Sequence, residues 1–168
     1  MTELSLVLRP ELPSDADAIE RLHERAFGPG RFARTAFRIR EGAEHLPELS
    51  FAALVGTLLV GSVRLTPVWA GEVRGLMLGP LTVDPAFENR GIGAALIRRA
   101  LDAAREAGHG LVLLVGDEPY YARFGFTRVP RGQLVMPGPV DPGRLLAAEL
   151  VDGALATARG TILPRRIS

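Results

Sequence analysis

The chain has 168 residues and a formal net charge of +1; it is 47% hydrophobic and 23% charged and contains no cysteine. Its twenty basic residues are all arginine, because lysine is absent as well. These two absences exclude a disulfide, a thiolate nucleophile, a cysteine-ligated zinc site, a Schiff-base lysine and a Walker P-loop. The length suits one domain. No charged start followed by an apolar run marks a signal peptide, and apolar stretches such as Leu111–Val115 are too short to cross a bilayer. The expectation is a cytoplasmic protein with no membrane association. Near-neutral charge argues against general nucleic-acid binding, with one local basic cluster at Arg31, Arg34, Arg38 and Arg40.

Alternating Leu4, Leu6 and Leu8 predict a strand over 3–9. Pro13-Ser14-Asp15 opens a helix with Ser14 as N-cap, an apolar stripe of Ala18, Ile19, Leu22 and Ala26, and a stop at Gly28-Pro29-Gly30. A second helix over 31–41 carries the arginine cluster, with Arg31, Arg34 and Arg38 on one face. Strands follow at 50–55 and 58–68 around a tight turn at Gly56-Thr57, with Gly61 weakening the second. The stretch 74–83 is apolar enough for a central strand yet contains Gly79-Pro80. Proline within a sheet is confined to edges and bulges, so a bulged strand is predicted. Asp84-Pro85 ends it. A helix over 91–107 buries Ile92, Leu96, Ile97, Ala100, Leu101 and Ala104 and is capped by Gly108. Leu111–Val115 reads as a buried parallel strand, 118–124 as a short helix, and weaker strand-like pieces lie near 126–129, 133–136, 145–150 and 160–163. The pattern is that of an α/β fold.

The first turn of this βαβ unit reads Glu88-Asn89-Arg90-Gly91-Ile92-Gly93-Ala94. A helix N-terminus leaves N–H groups unpaired and carries partial positive charge, and glycines let a phosphate approach the backbone. A Rossmann fingerprint is disfavoured, since Leu96 stands where a third Gly or Ala belongs and no acidic residue follows at ribose distance. A glycine-rich helix start that merely turns tightly is the plain alternative. A bulge at Gly79-Pro80, however, would turn backbone groups of Leu81, Thr82 and Val83 out of the ladder, where an extended amide-containing ligand can pair with them. A ligand with both a pyrophosphate and a peptide-like arm fits both features, and coenzyme A is such a ligand.

The run Leu78-Gly79-Pro80-Leu81-Thr82-Val83-Asp84-Pro85, followed by Glu88-Asn89-Arg90-Gly91-Ile92-Gly93-Ala94-Ala95-Leu96, resembles strand four and the Gln/Arg-x-x-Gly-x-Gly/Ala loop of the GNAT superfamily of acetyl-CoA-dependent N-acetyltransferases. Tyr120-Tyr121-Ala122-Arg123-Phe124-Gly125-Phe126 is similar to that family's Tyr-x-x-x-Gly-Phe segment. The resemblance covers about residues 4–130, with 130–168 less well matched within a single 1–168 acetyltransferase domain. It implies a mixed central β-sheet with a bulged, splayed fourth strand flanked by helices. It further implies that backbone groups of Leu81 and Val83, with Thr82 between them, hold the pantetheine arm, that the N–H groups of Arg90, Gly91, Ile92, Gly93 and Ala94 cradle the pyrophosphate with Phe124 nearby, and that Tyr121 protonates the departing thiolate. Direct attack of an amine on acetyl-CoA needs no enzyme nucleophile, which suits a chain without Cys or Lys. Glu88 departs from the family's Gln or Arg, and a carboxylate there is expected to point away from the pyrophosphate or to weaken binding.

Several residues also have a structural reading. Tyr121 can pack with Tyr120, Phe124 and Phe126. Asp117 can be the N-cap of the short helix, or a base for the incoming ammonium. Glu72 is a weaker base candidate. His23, His45 and His109 share no ligand spacing, so no metal is expected, and Ser62 lacks a nucleophile-elbow setting. The acceptor is expected to be a small-molecule or peptide amine, and the apolar stretch 145–155 offers a face for a homodimer. Outside this class, an acyl-CoA-binding regulatory module without activity and a binding module for another nucleotide remain as alternatives.

Overall fold

The computed structural model describes residues 5–27 and 42–167. The helix expected over 31–41, its arginines and the stop at Gly28-Pro29-Gly30 lie outside the described residues. Among them nine strands form one mixed sheet, ordered β1-β2-β3-β4-β5-β8-β6, with β9 beside β3 and β7 beside β9. They are β1 (Leu6–Pro10), β2 (Phe51–Val55), β3 (Leu58–Ala70), β4 (Val73–Val83), β5 (Leu111–Val115), β6 (Thr127–Arg128), β7 (Leu134–Val135), β8 (Leu145–Glu149) and β9 (Gly160–Pro164). Most pairs are antiparallel; β4 runs parallel to β5, and β7 to β9. Among the described residues three α-helices accompany the sheet: α1 (Ala16–Phe27), α2 (Ile92–Glu106) and α3 (Glu118–Tyr121).

Residues on β2 alternate between two cores, because successive strand side chains point to opposite faces. Phe51 and Ala53 pack with the α2 stripe, whereas Ala52 packs with Ile19 and Leu22 of α1. The two helices therefore cover opposite faces of the sheet. All six residues expected on the buried face of α2 are buried. Its C-terminus closes with paired bonds, Gly108 N–H to the Arg105 carbonyl (3.1 Å) and His109 N–H to the Ala104 carbonyl (3.0 Å), with Gly108 left-handed at φ 88°. Farther along the α1 face, Val68, Met77, Leu111 and Leu113 are covered by Leu134, Met136 and Ile162 of the C-terminal stretch.

Four local expectations are corrected. Ser14 is not the cap of the first helix: Pro13–Asp15 form a single 3-10 turn, and the Asp15 carboxylate accepts the Leu12 N–H at 2.8 Å while it binds Arg9 at 2.6 and 2.9 Å. Ser14 lies inside this turn, whose N-cap is Leu12, so its hydroxyl does not stand ahead of the first free N–H groups as a cap must. On α1, Ala26 is exposed and His23 is buried in its place. The first strand is displaced to Leu6–Pro10, where it forms an edge with Leu6 and Val7 exposed. Of the stretch 145–155 expected to offer a dimer face, Leu145–Ala148 is buried inside the sheet between β5 and β6, while Val151 beyond it is exposed.

Gly61 sits under the start of α2. A Cβ there would meet Leu96 Cδ1 at 3.0 Å, Ile92 Cγ2 at 3.1 Å and Ala53 Cβ at 3.3 Å. Its bare backbone lets the helix N-terminus lie close on the sheet. Gly61→Val is expected to lower unfolding free energy by about 1–3 kcal/mol through overpacking. Denaturant titration checks this, and an unchanged midpoint would show that α2 can lift without cost.

Candidate active site

The register of β3 on β4 contains the expected bulge. Val63 pairs with Leu81 and Leu65 with Leu78, so Gly79 and Pro80 together stand opposite Arg64 alone. An extra residue bends the strand that carries it. Pairing between β4 and β5 is limited to Leu76–Val112 and Met77–Leu113, so the two strands splay after Met77. A cavity of about 1080 Å³ occupies this splay. Leu78 and Leu114 on its wall belong to the α2-side core, whereas Glu20 and His23 on the opposite wall belong to α1. The opening thus runs through the sheet from one face to the other.

One rim of the splay is the free edge of β4. The N–H of Asp84 donates to the Val60 carbonyl on β3 at 2.8 Å. Because edges alternate along a strand, Thr82 turns its backbone the same way, and Leu81 and Val83 turn theirs away from β3. Thr82 differs from its neighbours: it pairs across from Ser62 and is buried. Beyond this rim lies the glycine-rich turn. Gly91 is the N-cap of α2 in the left-handed region (φ 79°), preceded by Asn89 at φ 62°. The first bond of the helix runs from Ala95 N–H to the Gly91 carbonyl at 3.0 Å. The N–H groups of Ile92, Gly93 and Ala94 therefore precede the ladder and point out of the helix end. A Cβ on Gly93 would touch Val83 Cγ2 at 3.7 Å and Leu81 Cδ2 at 3.9 Å, so helix end and strand edge form one continuous surface. Arg90 and Glu88 are exposed, with the Arg90 guanidinium 5.2 Å from the centroid of the Phe87 ring.

The opposite rim carries the aromatic segment. Tyr121 is half-buried at the cavity wall, edge-on to Tyr120 and Phe126 with ring centroids 4.9 and 6.0 Å away. Phe124 packs beneath Arg98 of α2, 5.1 Å from its guanidinium carbon, which docks the segment on that helix. Burial pushes the Tyr121 phenol above its ordinary value of 10.0, with Tyr120 and Asp117 adding to the rise. The phenol therefore keeps its proton throughout the neutral range. A Cβ on Gly116 would overlap the Tyr121 ring, so that glycine sets where the ring lies. Asp117 stands at the N-cap position of α3, but its side chain makes no capping bond; only its carbonyl receives the Tyr120 and Tyr121 N–H groups, both at 3.1 Å. The carboxylate is 75% exposed at the cavity mouth and turns to Arg144 at 3.4 Å, which explains the failed cap. Glu72 belongs to the β3–β4 turn, away from the cavity lining.

A cluster that sequence reading does not assemble lies on the α1 side. Glu11 is buried (7% exposed) and accepts from Arg64 Nε at 2.9 Å and Nη2 at 3.2 Å, with His45 Nε2 at 2.7 Å. Its partners are 34 and 53 residues distant, so no local spacing signals the group. Burial alone would raise the Glu11 carboxyl, but hydrogen bonds from His45 and Arg64 and their charges outweigh it and hold it below 4.5. No group of three His, Asp or Glu converges on a metal-sized position among the described residues, and no described helix is long and apolar enough to cross a membrane.

The profile of the Acetyltransferase (GNAT) family matches residues 16–126, and the chain belongs to that family. It is similar to the uncharacterized N-acetyltransferase YhbS of Escherichia coli, with 27% identity over 163 residues, 94% of this chain and 95% of that protein. The crystal structure of Escherichia coli YhbS in complex with CoA superimposes with a TM-score of 0.83 at 28% identity, covering 98% of this chain and 92% of the other. A GNAT family acetyltransferase from Brucella melitensis in complex with acetyl-CoA gives 0.62 at 29% identity, over 89% and 97%. The likeness to YhbS extends through the C-terminal stretch that the motifs match less well.

The low value of Glu11 has a consequence for stability. A carboxyl depressed by folding stabilises the chain above its unfolded value, and that contribution fades as pH falls below 4.5 toward the folded value. Glu11→Gln is expected to lower the melting temperature at neutral pH, with the gap to the native chain narrowing in acid below 4.5. A gap of constant size down to about pH 3 would show that the charge contributes nothing.

Proposed function

We propose that this acetyltransferase moves an acetyl group from acetyl-CoA to a small-molecule or peptide amine, which attacks the thioester directly while both substrates are bound. The observation that carries this reading is the opening through the sheet. It joins a strand edge and helix end suited to an amide-and-pyrophosphate ligand with a separate polar chamber on the α1 side. Leu81 and Val83 offer backbone partners to the pantetheine arm, and the N–H groups from Arg90 to Ala94 face the pyrophosphate. Glu88, exposed before the turn, lies outside that row of N–H groups. The whole chain acts as one catalytic unit in this reading.

Tyr121 supplies the proton to the departing sulfur. A thiol with an ordinary value near ~8.5 is already a fair leaving group, so a phenol held above 10.0 gives modest help. Backbone N–H groups at the splay steady the oxyanion as the tetrahedral intermediate forms. No acyl-enzyme is needed, in keeping with a chain that has neither Cys nor Lys.

Acetyl-CoA is expected to raise the melting temperature where ATP and NAD do not. An amine library screened for CoA release identifies the acceptor. Tyr121→Phe should lower kcat about 10–100-fold with a smaller change in acetyl-CoA binding. Stabilisation by ATP or NAD instead of acetyl-CoA would overturn the cofactor assignment. Binding without CoA release from any amine would establish an inactive acyl-CoA-binding module in its place.

Gly116→Ala tests Tyr121 differently, since it leaves the phenol present and moves the ring. A loss of kcat comparable to that of Tyr121→Phe is expected, with acetyl-CoA affinity kept. Full activity would show that the position of the phenol is immaterial.

A further inference from the structure

We propose that His45, oriented by Glu11, is the base that takes the proton of the attacking amine; this rests on the transferase reading above. His45 lines the cavity, and its side chain is 26% exposed there. Glu11 is ionised beside Arg64 and can only accept, so the nitrogen that meets it, Nε2, must carry the hydrogen. Nδ1 is then left with its lone pair, and among the described residues it has no partner. A buried carboxylate that fixes the tautomer of a histidine also stabilises the imidazolium formed when that histidine takes a proton.

The position suits the chemistry. Leu46 N–H donates to the Leu65 carbonyl at 2.8 Å, which clamps His45 beside Arg64 and Thr66. Arg64 stands directly opposite the Gly79-Pro80 bulge, so the base lies level with the opening through the sheet. Thr66 lines the same cavity, and its buried hydroxyl has no partner among the described residues, as expected of a wall that a polar acceptor completes. The other charged groups facing this chamber are Glu44 beside His45, Glu20 and His23 on α1, and Arg166 from the C-terminal stretch. Asp117, Tyr121 and Arg144 line the remaining wall. Asp117 is exposed and engaged by Arg144, a poor setting for a base.

In the step itself, the amine nitrogen bonds to the thioester carbonyl carbon and its N–H becomes strongly acidic. That proton passes to His45 Nδ1. The carbonyl reforms, the C–S bond breaks, and the thiolate takes the Tyr121 proton. The imidazolium then gives its proton to water, and the phenolate recovers one.

Two measurements test this on the full chain. Nitrogen NMR of the histidines should show His45 with Nε2 protonated and Nδ1 bare, a pattern lost in Glu11→Gln; a proton on Nδ1 in the native chain overturns the proposal without reference to activity. CoA release from acetyl-CoA is then followed against pH with the primary amines glycinamide, phenethylamine and spermidine, with hydroxylamine, and with water alone as acceptor. His45→Gln should lose roughly 100-fold in kcat with the primary amines and lose the acid-side limb of the profile, at unchanged KM for acetyl-CoA. Hydroxylamine sheds the same proton after its attack and should lose kcat to a similar extent. A His45→Gln enzyme that keeps its kcat and its limb, or changes only KM, overturns the base and leaves the transferase reading intact. No transfer to any acceptor, while acetyl-CoA still stabilises the chain, overturns both.

Discussion

Beyond Met77 and Leu113, β4 and β5 stop pairing, and the cavity, its strand edge and its two unlike walls all follow from that separation. Its cause is local: two residues, Gly79 and Pro80, face one residue of β3, so β4 bends away from its parallel neighbour. A continuous sheet would satisfy the backbone groups of Leu81 and Val83 internally and would divide the α1 side from the α2 side. The bulge leaves an edge free to pair, and it leaves a passage. The residues of α1 and α2 pack in separate cores on opposite faces of the sheet around it.

The passage has unlike ends. On the α2 side are backbone N–H groups, a glycine-rich turn and an aromatic cluster, a surface for an anionic, extended ligand. On the α1 side are ionised side chains held in fixed pairs. Glu11 is the clearest instance, buried yet ionised because Arg64 and His45 both donate to it. Removal of either donor would leave a buried carboxylate short of partners, so the cluster is rigid as well as charged. The two tyrosines show the same contrast at close range. Tyr121 is pressed into the wall by the bare backbone of Gly116, whereas Tyr120 lies at the surface and reaches toward Gly93.

Local chemistry made much of this legible in the sequence. Glycine and proline inside an apolar run require a bulge wherever the strand sits, and an apolar stripe of period 3.6 ending in glycine requires an α-helix with that cap. The glycine-rich turn and the Tyr121 segment were readable for the same reason, since each places its chemistry within a few consecutive residues. Errors fell where a local rule met a distant competitor. Asp117 lost its cap because Arg144, 27 positions along the chain, takes the side chain. The apolar 145–148 stretch looked like an exterior face until β5 and β6 enclosed it.

By itself, then, the sequence determined the bulged strand, the helix that follows it, the glycine-rich turn between them and the absence of a lysine or cysteine nucleophile. Each of these is written in neighbouring residues, whose sterics and periodicity act over a few ångströms. Only the tertiary structure decided that the bulge opens a passage through the sheet, and that Glu11, His45 and Arg64 meet beside it. Those three come from a strand end, a loop and a central strand, and their meeting is a matter of strand register, which no short stretch of sequence contains.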